Sequence, residues 1–184
     1  DASQPAAAAL MLEPCATIDG AALDAFAGIA GVRAWQSRLS TLRTLAAAPT
    51  RLGRQALQRH AIELAIERMR RGLSGRAPSL AERLIAHHAG SAVALHDALP
   101  PSGRARLEAL LTATLEGDCC LIPLFHLLRT ASLQRARGFD VFYAGLADGA
   151  PFDLLLSRDR AEAEVVCDVL SAEEGRGVRR GAWF

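Results

Sequence analysis

Acidic side chains recur in the stretch 151–176 at spacings that would gather them on one side of a small sheet. Asp153 precedes a short apolar run, and Glu164 and Asp168 lie four residues apart within 162–170. Because side chains alternate faces along a strand, residues four apart project from the same face. Hard divalent cations such as Mg²⁺ prefer carboxylate oxygens, and such a cation activates water. The spacing predicts Asp153, Glu164 and Asp168 as catalytic candidates, with Asp153 and Glu164 as metal ligands.

Residues from about 20 to 137 have the pattern of a helical scaffold of four to six helices. Val32, Trp35 and Leu39 recur at spacings of three and four, as on one face of a helix, so Trp35 is expected in the core. Residues 50–73 keep the same period throughout and are predicted to form a single helix.

Capping signals mark the later helices. Ser79 followed by Glu82 is a capping box, which predicts a helix start. Gly117 and Gly138 are each expected to end a further helix, because glycine favours the backbone conformation that terminates helices.

Beyond Gly138 the pattern becomes that of short strands. Residues 139–146 are aromatic and β-branched, and residues 152–157 and 162–170 are short apolar or alternating runs. Turn residues at 148–151 and a charged turn near residue 160 separate the three runs. Consecutive short strands favour an antiparallel meander, so the predicted fold class is α+β.

Composition excludes several classes of function. The formal net charge is +1, so no global field indicates nucleic acid or membrane, and no apolar run reaches the ~20 residues that span a bilayer. The 21 cationic residues are all arginine, so these residues supply no catalytic lysine. The abundant alanine and absent lysine indicate a GC-rich, bacterial coding sequence. No GxGxxG, P-loop or GxSxG motif supports a nucleotide enzyme or a serine hydrolase.

The cysteines and histidines offer no metal-ligand spacing. Cys15, Cys119, Cys120 and Cys167 do not match a zinc motif and are expected to be buried, reduced thiols of a cytoplasmic protein. The histidines are given no role. The chain begins with Asp1 rather than Met, so the sequence is expected to be a fragment of a longer protein.

The run from the helix near residue 121 through the three predicted strands resembles the core of the PD-(D/E)XK, restriction-endonuclease-like nucleases. In that superfamily an Asp opens a strand and Glu-X-Lys follows on the next. The two acids bind magnesium, and the lysine positions or activates water. The resemblance covers about residues 121–180 and implies that Asp153 is the metal-binding Asp, with Mg²⁺ as the cofactor of an active enzyme.

A bacterial variant of this motif is matched at Cys167, Ser171, Glu173, Gly175, Arg176 and Arg180. However, Val166 stands in place of its Glu, and Asp168 stands in place of its Lys. A register shifted by two places Glu164 at the Glu position, but Val166 then replaces the Lys. Neither register gives Glu-X-Lys, so the module is expected to be catalytically impaired.

Structural interpretations of the same residues stay open. Asp153 could bond nearby backbone as a turn residue, and Glu164 could belong to a solvated strand face or pair with Arg158 or Arg160 across the hairpin. Asp168 is flanked by apolar residues and needs a partner, for which Arg176 is a candidate. The basic residues expected to grip a nucleic-acid backbone, or else to form a solvated loop, are Arg176, Arg179 and Arg180.

Taken together, the sequence predicts a weakly structured segment 1–19, a helical region 20–118 and a C-terminally truncated nuclease-like α/β core 119–184. The expected function is that of a cytoplasmic protein associated with DNA or RNA through a catalytically impaired module, with no membrane partner. The alternatives are a non-enzymatic helical protein that binds or assembles with other proteins, and an active metal-dependent nuclease.

Overall fold

The computed structural model describes residues 18–47, 50–72, 77–117 and 119–169. Within these ranges the chain forms eight helices and three strands. The helices are α1 (Gly20–Ile29), α2 (Val32–Ala47), α3 (Arg51–Arg59), α4 (Ala61–Arg70), α5 (Leu80–Ala98), α6 (Pro101–Glu116), α7 (Ile122–Ala136) and α8 (Ala144–Asp148). The strands are β1 (Asp140–Phe142), β2 (Leu154–Arg158) and β3 (Ala161–Val165). The predicted α+β class is confirmed, whereas most of segment 1–19 lies outside the described residues.

Local capping chemistry starts and ends the helices much as predicted. The hydroxyl of Ser79 accepts the backbone N–H of Glu82, and the Glu82 carboxylate accepts the backbone N–H of Ser79, at 3.2 and 2.8 Å. Helix α5 then continues without interruption to Ala98. Gly138 follows α7 with φ = 85°, a conformation that costs glycine little.

The prediction of one helix over 50–73 is wrong, because the helix is interrupted at His60, which separates α3 from α4. His60 has φ = −109° and ψ = 27°, outside the helical region, and its ring is buried. The ring contacts Arg38 and Glu63, so the break turns a polar side chain inward. Helical periodicity alone does not reveal such a break, since the apolar spacing continues across it.

The three strands form an antiparallel meander in the order β1-β2-β3, as predicted. Leu154 and Leu156 of β2 are buried, and their partners across β3 are Val165 and Ala163. Directly paired residues of an antiparallel sheet share a face. On this face Leu154, Leu156 and Val165 pack toward the helices, whereas Ala163 is exposed. Glu164, which is paired with Leu155, lies on the opposite, outer face.

Two predicted strand boundaries are wrong. Residues 139–146 do not form one strand, because β1 ends at Phe142 and helix α8 follows. Helix α8 packs on α6, and Arg106 of α6 donates to the carbonyl oxygens of Leu146 and Ala147, which a short helix leaves unpaired. Strand β3 ends at Val165 rather than extending to residue 170.

One hydrophobic cluster connects the helices with the sheet. Leu107 of α6 and Leu128 of α7 are buried in the same cluster as Leu154 of β2. Trp35 is 2% exposed, as predicted, and its ring meets that of Phe26 edge to face at 6.1 Å. Residues of both predicted regions, 20–118 and 119–184, therefore share this core.

The ring of His88 in α5 is buried and lies edge to face on Phe125. No described residue is a hydrogen-bond partner of its Nδ1. Burial, followed by the nearby charges of His87 and Arg129, lowers the pKa of His88 from 6.5 to about 4. Between pH 6.5 and about 4, His88 is mostly protonated in the unfolded chain and mostly neutral in the folded chain. The free energy of unfolding is therefore expected to fall as pH drops from 6.5 to 4, by up to roughly 3 kcal/mol.

Urea unfolding at several pH values tests this expectation. The difference in free energy of unfolding between the wild-type protein and the variant His88→Gln should change with pH below 6.5. The control variant His126→Gln, at an exposed position, should have the same pH dependence of stability as the wild type. An identical pH dependence for the wild type and His88→Gln would contradict the burial of a neutral imidazole.

Among the described residues, no helix combines the length and the apolar character that crossing a membrane requires.

Candidate functional site

Asp153 lies in the turn that leads into the central strand β2, and its backbone bonds to β3 on one side and to helix α8 on the other. Its N–H donates to the carbonyl of Val165 at 3.0 Å, and its carbonyl accepts the N–H of Gly145 at 3.3 Å. Its side-chain Oδ2 accepts the backbone N–H of Cys167 at 2.6 Å. The carboxylate thus bridges from the start of β2 to the chain just beyond β3.

Close packing against α8 fixes this turn. A Cβ added to Gly145 would lie 3.0 Å from the carbonyl oxygen of Phe152 and 3.4 Å from Cα of Asp153. A side chain here would push the two backbones apart by a few tenths of an ångström, so glycine favours their close approach. The sequence Ala-Gly-Leu-Ala at 144–147 therefore positions Asp153, although it lies on a different element.

The other two predicted acids are placed apart from this bridge. Glu164 is exposed on the outer face of β3, and Asp168 is exposed beyond the end of that strand. Because β3 stops at Val165, the predicted sharing of one strand face by Glu164 and Asp168 is wrong. No group of three or more His, Cys, Asp or Glu side chains within the described ranges could hold a metal ion.

The predicted Mg²⁺ at Asp153 and Glu164 stays a prediction, and among the described residues no set of ligands for it surrounds Asp153. One oxygen of Asp153 already accepts an amide hydrogen bond from Cys167. The carboxylate of Asp153 does bond backbone, as the alternative interpretation holds, but its partner lies 14 residues away rather than in the turn itself. Arg176, Arg179 and Arg180 lie outside the described residues, as do Ser171, Glu173 and Gly175.

Cys167 lies beside this carboxylate but is not activated by it. Burial, and then the negative charge of Asp153, raise the pKa of the Cys167 thiol, while a hydrogen bond with Thr130 opposes them. A thiol with a raised pKa stays protonated at neutral pH and is a poor nucleophile. Cys119, Cys120 and Cys167 are free, but Cys119 is exposed and the other two are only partly buried, so the prediction of buried thiols is wrong for these three.

The described residues also contain a buried polar cluster that the sequence analysis missed, formed by Arg38, His60 and Glu63. Their exposed fractions are 8%, 6% and 0%. His60 Nδ1 is 3.2 Å from both Arg38 Nη2 and Glu63 Oε1. Because a guanidinium only donates and a carboxylate only accepts, Nδ1 can serve one of them at a time.

This Arg38–His60–Glu63 cluster makes hydrogen bonds to the backbone of the connection between α6 and α7. Arg38 donates to the carbonyl oxygens of Gly117 and Cys119, and Glu63 accepts the N–H of Leu121 at 3.2 Å. Within the described segments, Glu63 Oε2 and Arg38 Nε have no hydrogen-bond partner. One sequence signal could have revealed this cluster. Arg38 lies three residues from Trp35 and four from Leu42, so a charged residue falls on an apolar helix face, where it needs a buried partner.

Comparison with known proteins identifies no relative, because no family model, curated protein or solved structure matches this chain. The resemblance to the PD-(D/E)XK nucleases stays a prediction from the sequence.

Proposed function

We propose that this chain is a nucleic-acid-associated protein built on a restriction-endonuclease-like module that does not cleave. The observation that carries the proposal is the placement of Asp153, at the entry to the central strand, with its carboxylate bonded to the Cys167 amide. An acid at that place is what the resemblance implies, and its hydrogen bond is a role that needs no metal.

The order of elements supports the first half of the proposal. Helix α7 is followed by an antiparallel meander of three strands, and the acid precedes the middle strand. This is the part of the superfamily's core that the resemblance covers. Association with DNA or RNA is proposed on that resemblance and on the arginines at 176, 179 and 180.

The residue types near β3 support the second half. Val166 has no group that can bind a metal or move a proton, and the chain has no lysine to orient a water molecule. Loss of such a group typically slows a reaction by about 10²–10⁴-fold. The proposal places the protein in the bacterial cytoplasm, which free cysteines and the arginine-rich composition support.

Incubation with plasmid and single-stranded DNA, in Mg²⁺ or Mn²⁺, tests the proposal. We expect binding that weakens steeply with salt, as contacts to phosphates require, and intact DNA. Cleavage that disappears in Asp153→Ala but persists in Asp148→Ala, at an exposed acid of α8, would instead show an active metal-dependent nuclease.

A second candidate, a protein that assembles with other proteins, is favoured by the open edge of the sheet. Among the described residues, strand β3 pairs only with β2, and Ala161 to Glu164 are exposed. An exposed strand edge presents unpaired backbone groups that can join another chain. Failure to bind nucleic acid, together with a molar mass in solution above that of one chain, would favour this candidate.

A further inference from the structure

A pocket of about 290 Å³ lies where α1, α2 and α4 meet, away from the elements of the sheet. Three arginines and two acids line it, together with Trp35, Gln36 and Leu39. The charged residues are Asp24, Arg43, Glu67, Arg70 and Arg71. The arginines outnumber the acids by one, so the pocket carries a net positive charge.

Glu67 holds the three guanidinium groups in place. It is 12% exposed and accepts hydrogen bonds from Arg43 Nη2, at 2.8 Å, and from Arg71 Nε. Arg70 Nη1 lies 3.5 Å from its other oxygen, and Arg70 Nε donates to Asp24 at 2.7 Å. Because the partners come from α1, α2 and α4, the network gathers the guanidinium groups at one place before any ligand arrives.

Most donors of this network remain uncommitted. A guanidinium carries five N–H donors and no acceptor. Within the described part of the chain, Arg71 bonds through Nε alone and Arg43 through Nη2 alone. The indole Nε1 of Trp35, which is buried, has no acceptor either. The wall of the pocket therefore offers donors that water can reach at the half-exposed Arg43 and Arg71 and that an acceptor-rich ligand would take over.

We propose that this pocket binds the phosphate group of a phosphate monoester. Arg43 and Arg71 would each contact its oxygens through their free Nη groups, a geometry that suits the planar fork of arginine. Glu67 is the positioning residue, since it orients both side chains. The volume is at the lower end of small-ligand sites, which suits a phosphate with a small attached group. The inference does not depend on the proposed function of the sheet.

Two sources present this chemistry: a free monoester such as a nucleoside monophosphate, and the 5′-phosphorylated end of a nucleic-acid strand. Titration with inorganic phosphate, with AMP, and with 5′-phosphorylated and 5′-hydroxyl oligonucleotides separates them. Trp35 fluorescence reports binding when Trp183 is replaced by phenylalanine. Saturable binding of phosphate and AMP alone assigns the free monoester. Preference for the 5′-phosphorylated over the 5′-hydroxyl strand assigns the strand end.

Matched variants locate the binding. Arg71→Gln and Arg43→Gln should each weaken phosphate binding by about tenfold or more, the usual effect of removing a charged hydrogen bond. Arg33→Gln, at an exposed position of α2 outside the pocket, should change nothing. Circular dichroism confirms that each variant is folded. Unchanged affinity in both pocket variants, or no saturable binding at millimolar phosphate, would overturn the proposal.

Discussion

Replacing Glu63 with alanine is expected to lower the free energy of unfolding by about 3–5 kcal/mol, the range seen when one partner of a buried charged pair is removed. Glu63 is fully buried and accepts hydrogen bonds from the Leu121 amide and, at the same oxygen, contacts His60. Its loss leaves the Leu121 N–H without an acceptor and the buried Arg38 without the negative charge of its cluster.

Urea unfolding monitored by circular dichroism measures this effect. Glu116→Ala, at an exposed acid on the last turn of α6, is the matched control and should change stability little. Glu63→Gln should fall between the two, because an amide oxygen can still accept the Leu121 hydrogen bond. A midpoint for Glu63→Ala equal to that of the control would mean that the cluster does not stabilise the α6–α7 connection.

Leu154→Ala is expected to destabilise the whole molecule by about 2–5 kcal/mol, the usual effect of truncating a buried leucine. Leu154 is 0% exposed and belongs to the cluster that also holds Leu107 and Leu128. Because the sheet and the helices share this core, the helices should unfold at the same, lower urea concentration as the sheet.

The neighbouring substitution Leu155→Ala provides the control, since that side chain is half-buried on the outer face and should cost less. Far-ultraviolet circular dichroism follows the helices. If Leu154→Ala leaves the helical transition at its wild-type midpoint, regions 20–118 and 119–184 are separate folding units and the shared core has no energetic role.

The parts of the fold that are predictable from sequence are those set by local chemistry. The capping box at Ser79 and Glu82, the glycine after α7 and the spacing around Trp35 each act within one helix or its ends. The three-strand meander was also predictable, because the runs 152–157 and 162–170 are joined by a short charged turn. Such signals need no knowledge of what the element will pack against.

The parts that were missed depend on distant partners. Helix α8 forms from 144–148 because α6 covers its apolar side and Arg106 satisfies its last carbonyls, neither of which is visible in the local sequence. The break at His60 depends on Arg38, 22 residues away. The early end of β3 accompanies the Asp153 hydrogen bond to Cys167, which spans 14 residues.

In the candidate site, too, the features set by local sequence are predictable and those that depend on distant partners are not. The sequence correctly places Asp153 at the entry to a strand and Glu164 on a strand face, but it does not reveal where the carboxylates point. A four-residue spacing guarantees a shared face only if both residues lie on one strand, and β3 ends before Asp168.

An NMR titration with Mg²⁺ that follows the amide proton of Cys167 is the most direct test of whether the Asp153 carboxylate accepts this backbone hydrogen bond rather than binding a metal. We predict that this resonance keeps its chemical shift as Mg²⁺ is added and moves only in Asp153→Ala, where its acceptor is gone. A Mg²⁺-dependent shift of the wild-type resonance, saturating over the same concentrations that support DNA cleavage, would contradict the account.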